Sequence, residues 1–580
     1  MPVSNQITLS QYITTRWKQL GVKHVFGVPG DFNLEFLDYI ENDPDLNWVG
    51  DANELGAAYA VDGYARVKHG LGVLVTTFGV GELSALNGVA GSMAERLPIL
   101  HLVGLPSTKL QSSHALLHHT LGNGSFDTFS AMNSHLVATV GVLKQGSRWT
   151  EEVDRVLGVA LTECKPVYLG LPTDLFHVKV SSDGLKTPLP YPHSAPPLPA
   201  SKSSPVEREN NLETNPILSR VINDITERFK RAKKPIAIID ICADRFGCGP
   251  GLRELVEKSG IRFFETPMGK SVLDEQHPQF GGVYIGRNSL PAIRKEVESA
   301  DWVLMCGKLE SDFNDIRSVV PLLTKALEAA VKDMGGPKSE HANGQKVIKE
   351  GEKQREDAKA VPDTGKEIIH KWLWPRFGKF FMPHDLIVVE TGTSSFGIVN
   401  VPIPTTASCI VQTLWGSIGW ATGAVLGVGL AASERKNPGR TILITGEGSL
   451  QMSIQEVGTL VKMGLKPYLF VINNDGWVPL FHPGYVYEIE RQIHGVKAKY
   501  NDIQMVDHQL LLPFFVGRKS NLPHASYEVH TPQELDALLK DPEFNKPDRI
   551  RLIEVFMPRG DAPESLLTQA KLTAMANAQV

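Results

Sequence analysis

Short apolar runs that stop abruptly at glycine, proline or an acidic residue recur along the chain and alternate with stretches of helical periodicity. Over residues 1–190, Lys23–Gly27, Gly72–Phe78, Ile99–Val103 and Pro166–Leu171 read as strands. Asn53–Arg66 reads as a helix, and the first residues as an amphipathic helix capped at Thr8 or Ser10. Such alternation predicts a parallel sheet with helices on both faces. Residues 191–215 are rich in proline and polar residues and read as a linker. A second unit spans 216–331, with strands over Pro235–Ile241, Ile261–Phe264 and Trp302–Cys306 and a helix over Asp315–Val331. A charged, glycine-containing linker covers 332–366. The last unit, 367–580, carries strands over Leu386–Val389, Thr441–Ile444, Tyr468–Ile472 and Ile550–Phe556, with a helical stretch from Ser453 to Met463. The fold class is therefore α/β: three consecutive α/β domains with mainly parallel sheets.

Composition changes this picture little. A formal charge of −5 gives no reason to expect nucleic acid or an anionic membrane as a partner. The amino-terminal stretch lacks an apolar signal core, and no uninterrupted apolar run is long enough to span a bilayer. Cys164, Cys242, Cys248, Cys306 and Cys409 are scattered, odd in number and without metal-site spacing, which points to reduced thiols and a cytoplasmic protein.

The candidate chemistry lies where apolar runs end. Thr441–Ile444 runs into Gly446-Glu447-Gly448-Ser449, and Pro467–Ile472 runs into Asn473-Asn474-Asp475-Gly476. In an open α/β sheet ligands sit beyond the carboxyl ends of the strands, so both clusters fall on one rim. A carboxylate, an amide oxygen and a glycine carbonyl are hard oxygen ligands suited to Mg²⁺ holding a diphosphate. In the first unit Asp31 ends a strand, Glu54 opens a helix whose inner face is small and apolar, and His118 and His119 are adjacent. Glu54 is accordingly expected to be partly buried.

These stretches together resemble the thiamine diphosphate (ThDP)-dependent 2-oxo-acid decarboxylases of the fungal pyruvate decarboxylase type. The likeness rests on FGVPGDFN at 26–33, NELGAAYAVDGYAR at 53–66, TTFGVGELSALNG at 76–88, LLHHTLGNG at 116–124, ETGTSSFG at 390–397, LWGSIGW at 414–420, GLKPYLFVINNDG at 464–476 and ERQIHG at 490–495. The resemblance implies non-oxidative decarboxylation of pyruvate, or another small 2-oxo acid, to an aldehyde and carbon dioxide through an ylide and an enamine. It implies that Glu54 bonds the coenzyme's pyrimidine, that Ile418 bends the coenzyme, and that Thr393, Gly416 and Ser417 hold the pyrimidine. Glu447, Asn474 and Gly476 would ligate Mg²⁺, and Gly448 and Ser449 would meet the diphosphate. Ile489 would line the coenzyme, and Asp31, His118, His119 and Glu490 would handle protons. Because these residues are split between the outer units, the likeness also implies a homodimer or a dimer of dimers. A small Ser395 favours a short substrate.

Three departures from the family pattern accompany the likeness. Glu447 stands where the family usually has Asp. Residues Trp477–Val486 intervene between the metal loop and Glu490. After Ser311-Asp312-Phe313-Asn314 the middle unit lacks a strand, leaving three where a doubly wound unit has about six, which predicts an exposed sheet edge and apolar surface. The two abrupt junctions raise a second expectation, a catalytically impaired splice variant or assembly isoform; a third is a decarboxylase of aromatic 2-oxo acids. Finally, Cys242 matches a substrate-sensing cysteine, with Glu95 and Trp415 on the relay, but Arg96 replaces the relay histidine. Weakened substrate activation follows.

Overall fold

In the computed structural model the described residues are 5–146, 148–189, 216–309, 316–336, 366–474, 503–518, 520–558 and 561–569. They form three parallel sheets. Strand β1 (Gln6–Thr8) pairs antiparallel with β8 (Lys179–Ser181) and ties the amino terminus to the end of the first unit. Thr8 caps the helix Leu9–Gln19 by accepting from the Gln11 amide, while the Gln11 side chain returns the bond, as the sequence pattern predicts.

The first sheet comprises β2 (His24–Gly27), β3 (Asn47–Trp48), β4 (Gly72–Thr77), β5 (Ile99–Leu105), β6 (Val140–Val142) and β7 (Val167–Pro172), in the order β3-β2-β4-β5-β7-β6. Its central strands are buried along their whole length, which is why they read as continuous apolar runs rather than alternating ones. Crossovers between neighbouring strands place Asp31, Glu54, Glu82 and the histidine pair at the carboxyl ends of β2, β3, β4 and β5.

The middle sheet contains β9 (Pro235–Ile239), β10 (Arg262–Glu265), β11 (Phe280–Val283) and β12 (Trp302–Cys306), ordered β11-β10-β9-β12. Among the described residues it has four strands, where the sequence shows three. β11 escapes the sequence pattern because Gly281 and Gly282 interrupt its apolar run, Gly282 with φ +118°. Among the described residues β12 is an edge strand, and Val303 and Met305 on it are 46% and 39% exposed. Apolar surface of the kind predicted is therefore present on β12. The helix Ile316–Asp333 follows, packing Leu323, Leu327 and Ala330 into the core of this unit. The junction at residues 311–314 lies outside the described residues.

The third sheet runs β14 (Ser408–Val411), β13 (Leu386–Val389), β15 (Thr441–Gly446), β16 (Tyr468–Asn473), β18 (Ile550–Phe556) and β17 (His524–Val529), all parallel. The sequence shows neither β14 nor β17. β17 is largely half-buried and polar, and β14 is short and preceded by a proline-rich turn. The helical stretch predicted over Ser453–Met463 is the helix Glu456–Lys462; a separate helix, Glu447–Met452, precedes it, and the two are parted at Ser453, whose hydroxyl donates to the Gly419 carbonyl at 2.6 Å.

The outer units meet through the helices Glu54–Lys68 and Trp420–Ser433. Glycines make the crossing close: a Cβ on Gly427 would lie 1.7 Å from the Ala60 carbonyl oxygen, and one on Gly63 would lie 2.2 Å from that of Ala424. A buried polar set sits beside this contact. Asp62 accepts from the Trp420 indole at 2.9 Å and from Arg66 at 2.7 Å, and Arg66 also pairs with Glu95 at 2.8 Å. A buried charge is tolerated only when paired and hydrogen-bonded in this way.

Candidate active site

Asp31 follows β2, and its carboxylate accepts from His118 Nε2 at 2.7 Å while His119 Nε2 stands 3.9 Å away. The ligating atoms of the three lie within 4.8 Å of one another. Asp31 is only slightly buried; desolvation opposes ionisation, but its backbone amide and His118 outweigh it and hold the carboxyl below its ordinary range. Phe32 stacks on His118 with centroids 5.1 Å apart, and Phe78 meets His119 edge-on at 6.2 Å. His119 holds a left-handed backbone, φ +65°, unusual for a residue with a side chain.

Glu54 opens its helix after Asn53, which caps it by accepting from the Gly56 amide at 2.7 Å. Glu54 is half-buried, as its small-residue helix face predicts. Its carboxylate reaches the turn after β4, where a Cβ on Gly81 would lie 3.0 Å from Glu54 Oε1.

The third sheet carries the other half. β15 ends at Gly446 opposite Ile472 of β16, so Glu447 and Asn474 emerge side by side. Both are buried, and the Asn474 backbone amide donates to Glu447 Oε1 at 3.2 Å. Gly448 and Ser449 lie in the first turn of the helix that Glu447 opens. Gly419 packs over that helix: a Cβ there would meet Met452 Cβ at 2.9 Å and the Ser449 carbonyl oxygen at 3.4 Å. The half-buried Ile418 is thus held beside the Glu447 loop. Thr393 begins the helix Thr393–Ile398 after β13. Gly476, Ile489 and Glu490, and with them the Trp477–Val486 stretch, lie outside the described residues.

Two expected residues are already engaged by the protein. The Ser417 amide donates to Gln412 Oε1 at 2.9 Å, and its hydroxyl bonds the Tyr59 hydroxyl at 2.7 Å across the two units. The Ser395 hydroxyl donates to the Gly392 carbonyl at 2.9 Å and closes a helix start.

One participant has no counterpart in the sequence reading. Glu390, fully buried at the end of β13, accepts from the Thr391 amide at 2.9 Å and the Ala421 amide at 3.1 Å, fastening the Thr393 loop to the Gly416–Ile418 loop. Burial pushes its carboxyl up to about 8, against the opposing effect of the backbone amides. The signal available was a lone acid closing the apolar run Leu386–Val389.

The relay residues also come together. Glu95 Oε1 accepts from the Leu414 and Trp415 amides at 2.9 and 3.4 Å. Burial pushes the Cys242 thiol up to about 11, against the field of Arg96 and Arg245. Such a thiol stays protonated at neutral pH and is a poor nucleophile.

The donor sets fit a Mg²⁺–diphosphate group at the third sheet. Glu447 and Asn474 supply hard oxygens at the ends of adjacent strands, with a helix start beside them. Together the sheets and these clusters fit an enzyme that would hold a diphosphate coenzyme at strand ends of two α/β domains. Three family profiles match the chain: the thiamine pyrophosphate enzyme N-terminal TPP binding domain over residues 7–129, the central domain over 222–334, and the C-terminal TPP binding domain over 390–482. The chain belongs to the thiamine pyrophosphate enzymes, and within them to the pyruvate decarboxylase group. It is 42% identical over 594 residues to a pyruvate decarboxylase of Candida glabrata, 40% over 595 residues to pyruvate decarboxylase isozyme 1 of Saccharomyces cerevisiae, and 41% over 593 residues to a pyruvate decarboxylase of Kluyveromyces lactis. Each alignment covers 99% of this chain and 100% of the relative.

Proposed function

We propose that this chain decarboxylates pyruvate to acetaldehyde and carbon dioxide with thiamine diphosphate and Mg²⁺. The observation that carries the reading is the Asp31–His118–His119 cluster, with its 2.7 Å bond, standing beside the turn that Glu54 touches. When bound, the coenzyme supplies the electron sink that lets carbon dioxide leave. In this reading Glu54, Thr393, Gly416 and Ser417 would hold the pyrimidine, and Ile418 would bend the coenzyme. Glu447, Asn474 and Gly476 hold the metal, with Gly448 and Ser449 on the diphosphate and Ile489 along the coenzyme. Asp31, His118 and His119, with Glu490, give and take protons at the reacting carbon and oxygen. The rings of Phe32 and Phe78, edge to face at 5.0 Å, form an apolar wall beside this cluster.

Assembly as a homodimer or dimer of dimers belongs to the same reading. Leu34, Val80, Leu116 and Leu121 are exposed around the first half-site, and Leu414, Trp415 and Met452 around the second, surfaces that a second copy would cover. Five free cysteines, four of them buried, suit the reducing cytoplasm. No helix among the described residues is long and apolar enough to cross a membrane. The three sheets support the division into units at 1–190, 216–331 and 367–580.

The test is acetaldehyde formation from pyruvate by purified protein with thiamine diphosphate and Mg²⁺, coupled to NADH oxidation by alcohol dehydrogenase. Turnover dependent on both additions is expected; its absence with a folded dimer overturns the proposal. A second reading, a catalytically impaired assembly isoform, draws on the β12 edge with exposed Val303 and Met305. It predicts oligomers without turnover. Turnover only with phenylpyruvate would instead select an aromatic 2-oxo acid.

A further inference from the structure

The turn between β4 and the helix Val80–Ala94 touches every proton-handling loop of the first domain. A Cβ on Gly30, next to Asp31, would lie 2.7 Å from Thr77 Cβ. One on Gly79 would lie 2.2 Å from the His119 carbonyl oxygen, and one on Gly81 would lie 3.0 Å from Glu54 Oε1. Only backbone without side chains permits this approach, and Gly79 has φ +66°.

The turn is fastened from beneath by one side chain. Glu82 is 1% exposed; its Oε1 accepts from the Gly79 amide at 2.8 Å and its Oε2 from Asn133 Nδ2 at 3.0 Å. Asn133 in turn donates to the Phe129 carbonyl at 3.0 Å, and the Tyr168 hydroxyl faces the same carboxyl from β7. Burial pushes the Glu82 carboxyl up to about 7 against the Gly79 amide and Tyr168.

We infer that Glu82 is a positioning residue: by holding Gly79 it fixes the 77–82 turn, and the turn fixes His119 and Glu54 relative to each other. A left-handed His119 persists only where its surroundings over-determine it, and the Gly79 contact is part of that surrounding. If Glu82 were merely capping an ordinary helix start, its loss would lower stability and leave the histidine undisturbed. A misplacement of ~1 Å costs on the order of a hundredfold in rate, so the two roles separate experimentally.

This inference rests on the proposed function, and its test is built to fail separately. The pyruvate assay of the wild-type chain decides the function. The positioning is read on coenzyme-free protein, from the ring ¹³C resonance of His119 in histidine-labelled chain, identified by its loss in His119→Gln. Glu82→Leu is expected to displace that resonance and to lower kcat about 30- to 100-fold with KM changed less than about threefold. Glu82→Gln is expected to leave the resonance in place and kcat within about fivefold of wild type. Its amide oxygen still accepts from Gly79, and its NH₂ meets Asn133 once that amide turns over. An unmoved His119 resonance in Glu82→Leu, equal loss in the Leu and Gln variants, or a change in KM alone would overturn the inference. If Glu82→Leu does not fold, Asn133→Leu leaves the Glu82–Gly79 bond in place and removes the support beneath Oε2, together with the bond to the Phe129 carbonyl. Displacement of the His119 resonance then supports the inference, and an unmoved resonance overturns it.

Discussion

Glu447 and Glu54 do opposite things with similar carboxyl groups. Glu447 is 3% exposed and accepts the Asn474 amide at the end of the neighbouring strand. Glu54 is half-buried and aimed at a turn of small residues. Either Glu54→Ala or Glu447→Ala is expected to weaken thiamine diphosphate binding by at least about tenfold, roughly 1.4 kcal/mol, in a calorimetric titration with Mg²⁺. Unchanged affinity in both would remove the basis for the coenzyme site. Cys242 shows the limit of a matching residue type. Its thiol is buried and pushed up to about 11, and Arg96 stands beside it where the relay pattern has histidine. Cys242→Ser is therefore expected to leave the pyruvate saturation curve unchanged in shape; loss of a sigmoidal curve in that variant would contradict this.

At the scale of elements, helix crossings and strand edges carry the consequences. The crossing of Glu54–Lys68 with Trp420–Ser433 depends on the bare Cα of Gly427, 1.7 Å from where its Cβ would strike the Ala60 carbonyl. Backbone cannot yield as a flexible side chain does. Gly427→Ala is expected to cost about 1–3 kcal/mol or more, seen as an earlier thermal unfolding transition by circular dichroism. The β12 edge behaves in the opposite sense. Val303 and Met305 are exposed on a strand that lies at the sheet edge among the described residues, the arrangement that promotes edge-to-edge association. Val303→Lys with Met305→Glu is expected to leave the melting temperature within a few degrees while lowering aggregation measured by light scattering. A large loss of stability would mean that this edge is covered in the native assembly.

The whole molecule titrates through its buried acids. Burial raises the carboxyls of Glu82 to about 7 and Glu390 to about 8, from an unfolded value of 4.5. Between those values the folded chain binds protons that the unfolded chain has released. The contribution of each acid is therefore fully present below the unfolded value and lost as pH rises through about 7 to 8. The wild-type melting temperature is expected to fall between about pH 5.5 and pH 8.5, and Glu390→Gln, which cannot ionise, to fall less over that window. A parallel fall in the two proteins would show that Glu390 does not titrate there. Assembly belongs to this scale as well. Exposed apolar residues flank both half-sites, so dilution below the dimer range is expected to abolish turnover before it unfolds the chain.

The sequence alone placed most of the strands, though not all of their ends. β12, β13 and β18 were read to the residue, and β13, buried on both faces, appears as an uninterrupted apolar run. The family resemblance came from the polar residues that stop such runs, since ligands gather at the carboxyl ends of parallel strands. Strands β11, β14 and β17 were not legible: glycines, a short length or half-exposure erase the apolar signal, and only pairing with neighbouring strands creates them. Nor could spacing reveal that Glu82 and Glu390 are buried beneath the site loops. Each is an ordinary acid in the sequence. Its role arises when chain distant by tens of residues closes over it, excludes water and leaves backbone amides as its partners. Hydrogen bonds between remote segments and loss of solvent are properties of the packed molecule, so the tertiary structure decided them.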